Sequence, residues 1–452
     1  MMEMRAQIFG VHSSNVLTEK GLMDATIIVE NGIITDVKSG RANAAFNIEE
    51  LGDLVVMPGI IDSHVHINEP GRTEWEGFET MTKAAIAGGI TTLVDMPLNS
   101  SPVTITSETF YRKLEAAQGK LYCNCGFWGG IVPSNIEHLE GLIKSGVMGI
   151  KAFLTHSGID EFPNVTEADL RAAMPILARY KVPLLAHAEI DKMHEGIAFF
   201  EKHPASYKAY LASRPKEWED DAVDLLIALC EEFKSPVHIV HLSSANNIEK
   251  IKAAKAKGLP LTVETCPQYL YYNAEDIPDG NTFFKCAPPI REKENNEKLW
   301  KALKEGIIDF IVTDHSPSTP ELKKIESGNL KEAWGGIASI QFSLPVVWTK
   351  AKERGFSIDD MSRLMSGNVA AFIGEGKKGE IKTGYDADLV VWNPEQKFVV
   401  EKQNIHYRHK ISPYVGEELF GVVKQTYVAG KKVFENGNFI SLPQGKALIQ
   451  KH

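Results

Sequence analysis

The sequence predicts an α/β protein: a (β/α)8 barrel with a small β-sandwich domain built from both termini. Three observations carry this expectation. The middle of the chain alternates short apolar runs with helical patterns, both ends are β-rich without long helices, and 452 residues suit two or three domains or one large barrel with an appendage. A composition 43% hydrophobic and 24% charged supports a buried core and excludes a disordered chain.

Near the amino end, Ala25-Thr26-Ile27-Ile28-Val29-Glu30 runs into Asn31-Gly32, and Ile33-Ile34-Thr35-Asp36-Val37 follows. Asn-Gly between two β-rich runs signals a hairpin. Near the carboxyl end, Asp388-Leu389-Val390-Val391-Trp392 reads as a strand, and Val422-Val423-Lys424-Gln425-Thr426-Tyr427-Val428 turns at Ala429-Gly430 into Lys432-Val433-Phe434. Hairpins need a partner sheet. Residues 1–56 and 376–452 are therefore expected to form one small β domain beside a barrel of residues 57–375.

Within the barrel, strands are expected over 55–67, 91–96, 124–131, 149–154, 183–188, 236–242, 261–265 and 307–313, and helices over 76–87, 136–145, 167–180, 217–233 and 245–257. Eight such units over roughly 300 residues fit a closed barrel better than an open sheet.

Charge and composition narrow the partners. With 49 Lys+Arg against 59 Asp+Glu the net charge is −10, and no basic run exceeds pairs such as Lys323-Lys324, which argues against nucleic acid. No apolar stretch approaches the ~20 residues that span a bilayer. Residues 1–7 lack the charged-then-apolar layout of a secretory signal, so a cytoplasmic chain is expected. Cys123, Cys125, Cys230, Cys266 and Cys286 are odd in number and scattered, and read as ordinary thiols of a reducing compartment. The expected partner is a small-molecule substrate.

The chemistry lies at the strand ends. Residues i and i+2 of a strand share a face, so His64-Val65-His66 aims two imidazoles together at the mouth, where barrel enzymes work. Lys151, His187, His241 and Asp314 fall at the ends of the fourth, fifth, sixth and eighth strands. Imidazoles and carboxylate suit zinc, and also cobalt, iron or manganese. By strand alternation His238, three residues before His241, belongs on the opposite face. Lys151 stands apart, because an ammonium beside cations is repelled. Burial and neighbouring positive charge favour its free amine, which can add CO2 to give a carbamate bridging two metals.

Together with Pro58-Gly59-Ile60-Ile61-Asp62-Ser63-His64-Val65-His66, this set resembles the cyclic-amidohydrolase branch of the amidohydrolase superfamily, which includes dihydroorotases, hydantoinases and allantoinases. Allantoinases are resembled most, through Asn68-Glu69-Pro70-Gly71-Arg72-Thr73-Glu74-Trp75-Glu76-Gly77-Phe78, Asp95-Met96-Pro97-Leu98-Asn99-Ser100, Cys286-Ala287-Pro288-Pro289-Ile290-Arg291, Trp334-Gly335-Gly336-Ile337-Ala338 and His409-Lys410-Ile411-Ser412-Pro413-Tyr414.

The resemblance implies two divalent metals, Lys151 as N6-carboxylysine, and a homotetramer. One metal would take His64, His66, Asp314 and the Lys151 carbamate; the other would take His187, His241 and the same carbamate, with a hydroxide between them. His241 is preferred to His238 because the family ligand directly precedes Leu242-Ser243-Ser244. Gln268 stands where the family usually has histidine and is given no role. Ser318 replaces a family cysteine.

The implied reaction is hydrolysis of a cyclic amide, with Asp314 as general base and then acid. His156 is a candidate oxyanion donor. Dihydroorotases carry arginine two residues after the second histidine, to hold a carboxylate; Asn68 occupies that place here and suits a neutral ureido group. Asn99 is a further candidate contact, and backbone near Ala287 and Gly335 is expected to approach the ring. These features point to allantoin opened to allantoate in purine catabolism. The alternatives are a hydantoinase or dihydropyrimidinase, a dihydroorotase, and a non-catalytic scaffold, from which metal ligands are typically lost.

Overall fold

The protein is described by a computed structural model covering residues 8–452; residues 1–7, which entered the cytoplasmic expectation, lie outside the described part. Five strands come first: β1 (Ile8–Thr18), β2 (Gly21–Glu30), β3 (Ile33–Ser39), β4 (Ile48–Glu50) and β5 (Val55–Pro58). The central strands are β6 (Ile60–Val65), β7 (Ile90–Asp95), β8 (Asn124–Phe127), β9 (Gly129–Gly130), β10 (Ile150–Phe153), β11 (Leu184–His187), β12 (Val237–Ile239), β13 (Leu261–Thr265) and β14 (Phe310–Ile311). Four more follow: β15 (Leu389–Val399), β16 (Glu418–Val428), β17 (Lys431–Glu435) and β18 (Asn438–Phe439).

The first five and last four strands share a nine-stranded sheet in the order β18-β17-β16-β15-β5-β1-β2-β3, with β4 on β1. Its seam is the antiparallel pairing of β5 with β15, from Val55 opposite Trp392 to Pro58 opposite Leu389. The Asn31-Gly32 turn joins β2 to β3 with positive φ at both residues, and a side chain on Gly32 would meet the Ala429 carbonyl at 2.6 Å. That turn is therefore also a contact between the two ends of the chain. Val11, Ile27, Val56, Leu389 and Tyr427 share the apolar cluster beneath.

The single strand expected over 55–67 is in fact two. Gly59 ends β5, which belongs to the nine-stranded sheet, and releases β6 into the barrel; a Cβ there would lie 2.2 Å from Thr91 Oγ1. Apolar residues on both sides of the break gave no warning of it, because both strands are buried.

The barrel is parallel throughout, in the orders β6-β7-β8 and β9-β10-β11-β12-β13-β14. β8 and β9 are one stave interrupted at Trp128, whose Nε1 donates to the Ser63 carbonyl at 2.8 Å. The ring closes where Val65 bridges His315 and His66 N donates to the His315 carbonyl at 2.9 Å. Asp62 stitches the same closure, accepting from His64 N at 3.0 Å and Thr313 N at 3.1 Å. Ile61, Val94, Trp128, Leu185 and Phe310 share one apolar cluster, so the staves enclose a packed core and not a pore.

Outer helices follow the apolar periodicity. Glu167–Tyr180 starts with a Thr166–Asp169 capping box and buries Leu170, Ala173, Met174 and Leu177 along one face. No helix among the described residues is long and apolar enough to cross a membrane.

Candidate metal and substrate site

The six residues expected as ligands come to one end of the barrel, but not all by regular strand geometry. His64 lies on β6, Lys151 on β10 and His187 at the last position of β11. His241 lies two residues beyond β12 and Asp314 three beyond β14, with φ of 38° and 48°. Non-glycine residues in this left-handed region are uncommon, and such conformations concentrate at functional sites. The alternation argument for His238 fails for the same reason, since β12 stops at Ile239. His238 is buried, with Nε2 3.0 Å from Glu264 Oε2 and its ring stacked on Phe310.

His64, His66 and Asp314 form the tightest group, their ligand atoms all within 4.8 Å of one another. Asp314 Oδ1 lies 3.2 Å from His64 Nε2 and 3.4 Å from His66 Nε2. The other nitrogen of His64 donates to Glu264, whose Oε1 also accepts His241 N at 3.2 Å. Burial would lower the His64 pKa, but the Glu264 and Asp314 carboxylates outweigh it and raise it to about 9. Burial would raise Asp314; His64 and His66 instead hold it well below the usual carboxylate range. His66 Nδ1 lies 3.2 Å from Asn99 Nδ2.

Lys151, His187 and His241 are set differently. His187 Nε2 donates to Glu189 at 2.7 Å, which leaves Nδ1 free to accept. Arg214 holds Glu189 in turn, with Nε 3.0 Å from Oε1. The His187 ring stacks on Phe153 at 4.6 Å and meets His241 edge-on at 4.6 Å. Lys151 is fully buried, its Nζ 4.9 Å from the Phe153 ring centre. Neither Lys151 Nζ nor His241 Nδ1 has a hydrogen-bond partner among the described residues. Burial pushes the Lys151 ammonium down to about 7, against the pull of Glu264 and Asp314. It also carries His241 well below its ordinary value, helped by His187 and Lys151.

These residues fit a pair of divalent cations. Two buried polar atoms go unanswered by the chain, an amine is kept near its neutral form, and imidazoles with one carboxylate face each other.

A cavity of about 310 Å³ opens over the cluster. Asn99, His156, Ala287 and Gly335, among the expected substrate contacts, line it. Asn68 does not. β6 ends at Val65 and Asn68 lies three residues beyond it, with φ of 66°, its buried side chain turned to the Pro317 carbonyl with Nδ2 3.4 Å from the oxygen. His156 is largely exposed, with Nε2 3.5 Å from Asp160. Three further residues were missed. Arg214 and Lys285 line the cavity, and Glu264 supports the cluster from below. A buried glutamate inside an apolar strand was the one sequence signal for Glu264, since an unpaired charge does not survive there.

Residues 55–433 match the Amidohydrolase family. The chain is 45% identical to an allantoinase of Arabidopsis thaliana over 96% of its length and 89% of that protein, and 44% identical to an allantoinase of Streptomyces avermitilis over 98% of both. The L-hydantoinase (dihydropyrimidinase) of Arthrobacter aurescens has a similar structure, with a TM-score of 0.93 at 27% identity, covering 98% of this chain and 99% of that one. With this fold, this cluster and these relatives, the chain belongs to the amidohydrolase family, among its allantoinases.

Proposed function

We infer that this protein is an allantoinase, opening the cyclic amide of allantoin to allantoate by hydrolysis in purine catabolism. End-to-end identity with allantoinases carries the reading, and the cavity above the His64–Asp314 cluster gives it a location. In this proposal His64, His66 and Asp314 would hold one divalent cation and His187 and His241 a second, with Lys151, once carboxylated by CO2, as the ligand shared between them. Zinc is the first expectation, with cobalt, iron or manganese as alternatives. When bound, the cations supply Lewis acidity at the ring carbonyl and lower the pKa of water to around 7.

The chain's own groups do the rest. Asp314, kept ionised by its histidine neighbours, takes a proton from the attacking water and delivers it to the departing ring nitrogen. An amide nitrogen leaves poorly unless protonated, so the second transfer matters as much as the first. Ala287 and Gly335 offer backbone to the ring, and Asn99 contacts substrate or orients His66. His156, largely exposed at the cavity, is the remaining oxyanion candidate.

The boundary expected at residue 57 moves to Gly59, where β5 hands over to β6: the same reading assigns residues 59–375 to the catalytic barrel and, among the described residues, 8–58 with 376–452 to a supporting β domain, for which the β5–β15 seam is the evidence. It also places a homotetramer in the cytoplasm. Five buried, unpaired cysteines support the reducing compartment, and sedimentation tests the assembly.

Turnover of allantoin, hydantoin, dihydrouracil and dihydroorotate, with metal measured on the same sample, tests the function. Allantoin is expected to dominate in protein holding two metals per chain. Preference for any other ring overturns the assignment.

A further inference from the structure

Lys323 lies outside the ligand cluster, in the loop after β14, yet its side chain is buried. No aspartate or glutamate pairs with it among the described residues. Its Nζ donates instead to three backbone carbonyls: Lys285 at 3.1 Å, Trp334 at 3.1 Å and Gly336 at 2.5 Å. An ammonium has three N–H donors and no acceptor, so these carbonyls use all of it. Burial disfavours this ammonium and pushes it down to about 7, a cost that a methionine of similar length would avoid.

The three carbonyls belong to two separate segments that both line the cavity. Lys285 precedes Ala287 by two residues after the seventh stave, while Trp334 and Gly336 flank Gly335 after the eighth. A trans peptide sends its C=O and N–H in opposite directions. Turning the Trp334 carbonyl onto Lys323 therefore turns the Gly335 N–H away from it, and that N–H has no partner among the described residues. The loop has little slack here. A Cβ on Gly336 would lie 2.3 Å from the Ser316 carbonyl, two residues past Asp314. Lys285 adds a parallel tie, its own Nζ donating to the Ala333 carbonyl at 2.5 Å.

We propose that Lys323 is a positioning residue for substrate: by gripping three carbonyls it fixes the spacing between the Ala287 and Gly335 backbones and aims the Gly335 N–H at the ring between them. It touches no reacting atom. The inference rests on the allantoinase reading, with Ala287 and Gly335 as the backbone contacts.

The test is steady-state kinetics of metal-loaded Lys323→Met and Lys323→Arg with allantoin, beside metal content and thermal midpoint. Lys323→Met is expected to raise KM about tenfold with kcat within about threefold and metal content unchanged, the signature of lost uniform binding. Lys323→Arg, which keeps charge and several donors, should recover part of the KM. Should Lys323→Met fail to fold, Lys323→Gln, with two N–H donors, is read by the same criterion. A folded variant with wild-type KM overturns the proposal, as does a collapse of kcat accompanied by metal loss. Wild-type protein inert toward allantoin would sink the functional reading itself, whereas an active wild type with an unmoved variant KM sinks only the role of Lys323.

Discussion

The two halves of the cluster solve opposite problems. In the His64–His66–Asp314 half the chain supplies its own negative charge, so His64 sits between Glu264 and Asp314 and His66 between Asn99 and Asp314. In the Lys151–His187–His241 half two buried polar atoms find no hydrogen-bond partner among the described residues, and burial drives all three groups toward neutrality. A buried unsatisfied group costs about 1–3 kcal/mol. The first half is thus held in shape by the fold, while the second gains most from what it binds. Its one carboxylate, Glu189, is already paired with Arg214, so a carbamate on Lys151 would supply the anion that the three facing groups lack.

The largest expected effect comes from breaking the second half. Lys151→Ala removes the one group among Lys151, His187 and His241 that can become an anion. Turnover should fall ~10³-fold or more with loss of metal, since Lewis acid and activated water go together. A short carboxylic acid added to the variant should restore part of both. Near-normal turnover of Lys151→Ala would refute the bridging carbamate. Breaking the first half tests whether prepaid charge matters equally. Glu264→Gln keeps the shape but withdraws the carboxylate from His64, His238 and the His241 backbone. Metal affinity, measured by competition with a chelator, should drop toward the upper end of the ~10–100-fold range for such supporting groups. An unchanged affinity would mean that Asp314 suffices for that half.

The contrast between the halves also marks what could be read in the sequence. Local rules reached the apolar strands, the Asn31-Gly32 hairpin and the helix Glu167–Tyr180, because each depends on residues within one turn or one pleat. His64-Val65-His66 was legible for the same reason. Whatever depends on two distant segments was not. Gly59 divides two strands because Thr91 comes close to it; His64 needs Glu264, 200 positions away; Lys323 meets Lys285 and Gly336 only after the barrel closes. His238 shows the complementary failure, in which a two-residue period was carried past the point where the strand stops.

Glu189→Gln sharpens the comparison from the poorer side. His187 would keep a hydrogen-bond acceptor but lose the charge that fixes its tautomer, and Arg214 would lose its counter-ion. Metal affinity should fall about tenfold, the low end of the same range, because the bridging group and not Glu189 carries most of this half. A loss exceeding that of Glu264→Gln would reverse the ranking of the halves.

His238→Phe should have the smallest effect on the metals and separates stability from chemistry. The imidazole already stacks on Phe310 with ring centres 5.2 Å apart and lies 4.2 Å from Phe372, so a phenyl ring keeps most of the packing. Two hydrogen bonds are lost, to Glu264 at 3.0 Å and Thr262 at 2.8 Å. Glu264 still has His64 and the His241 backbone as partners, so the carboxylate keeps its charge and its aim. Denaturant unfolding should therefore show a loss of about 1–3 kcal/mol. Metal affinity should stay within a few-fold, well short of the change expected from Glu264→Gln. A large loss of metal from a folded His238→Phe would show that the satisfied half extends one layer deeper than the groups touching Asp314, with His238 setting the orientation of Glu264 rather than merely sharing it.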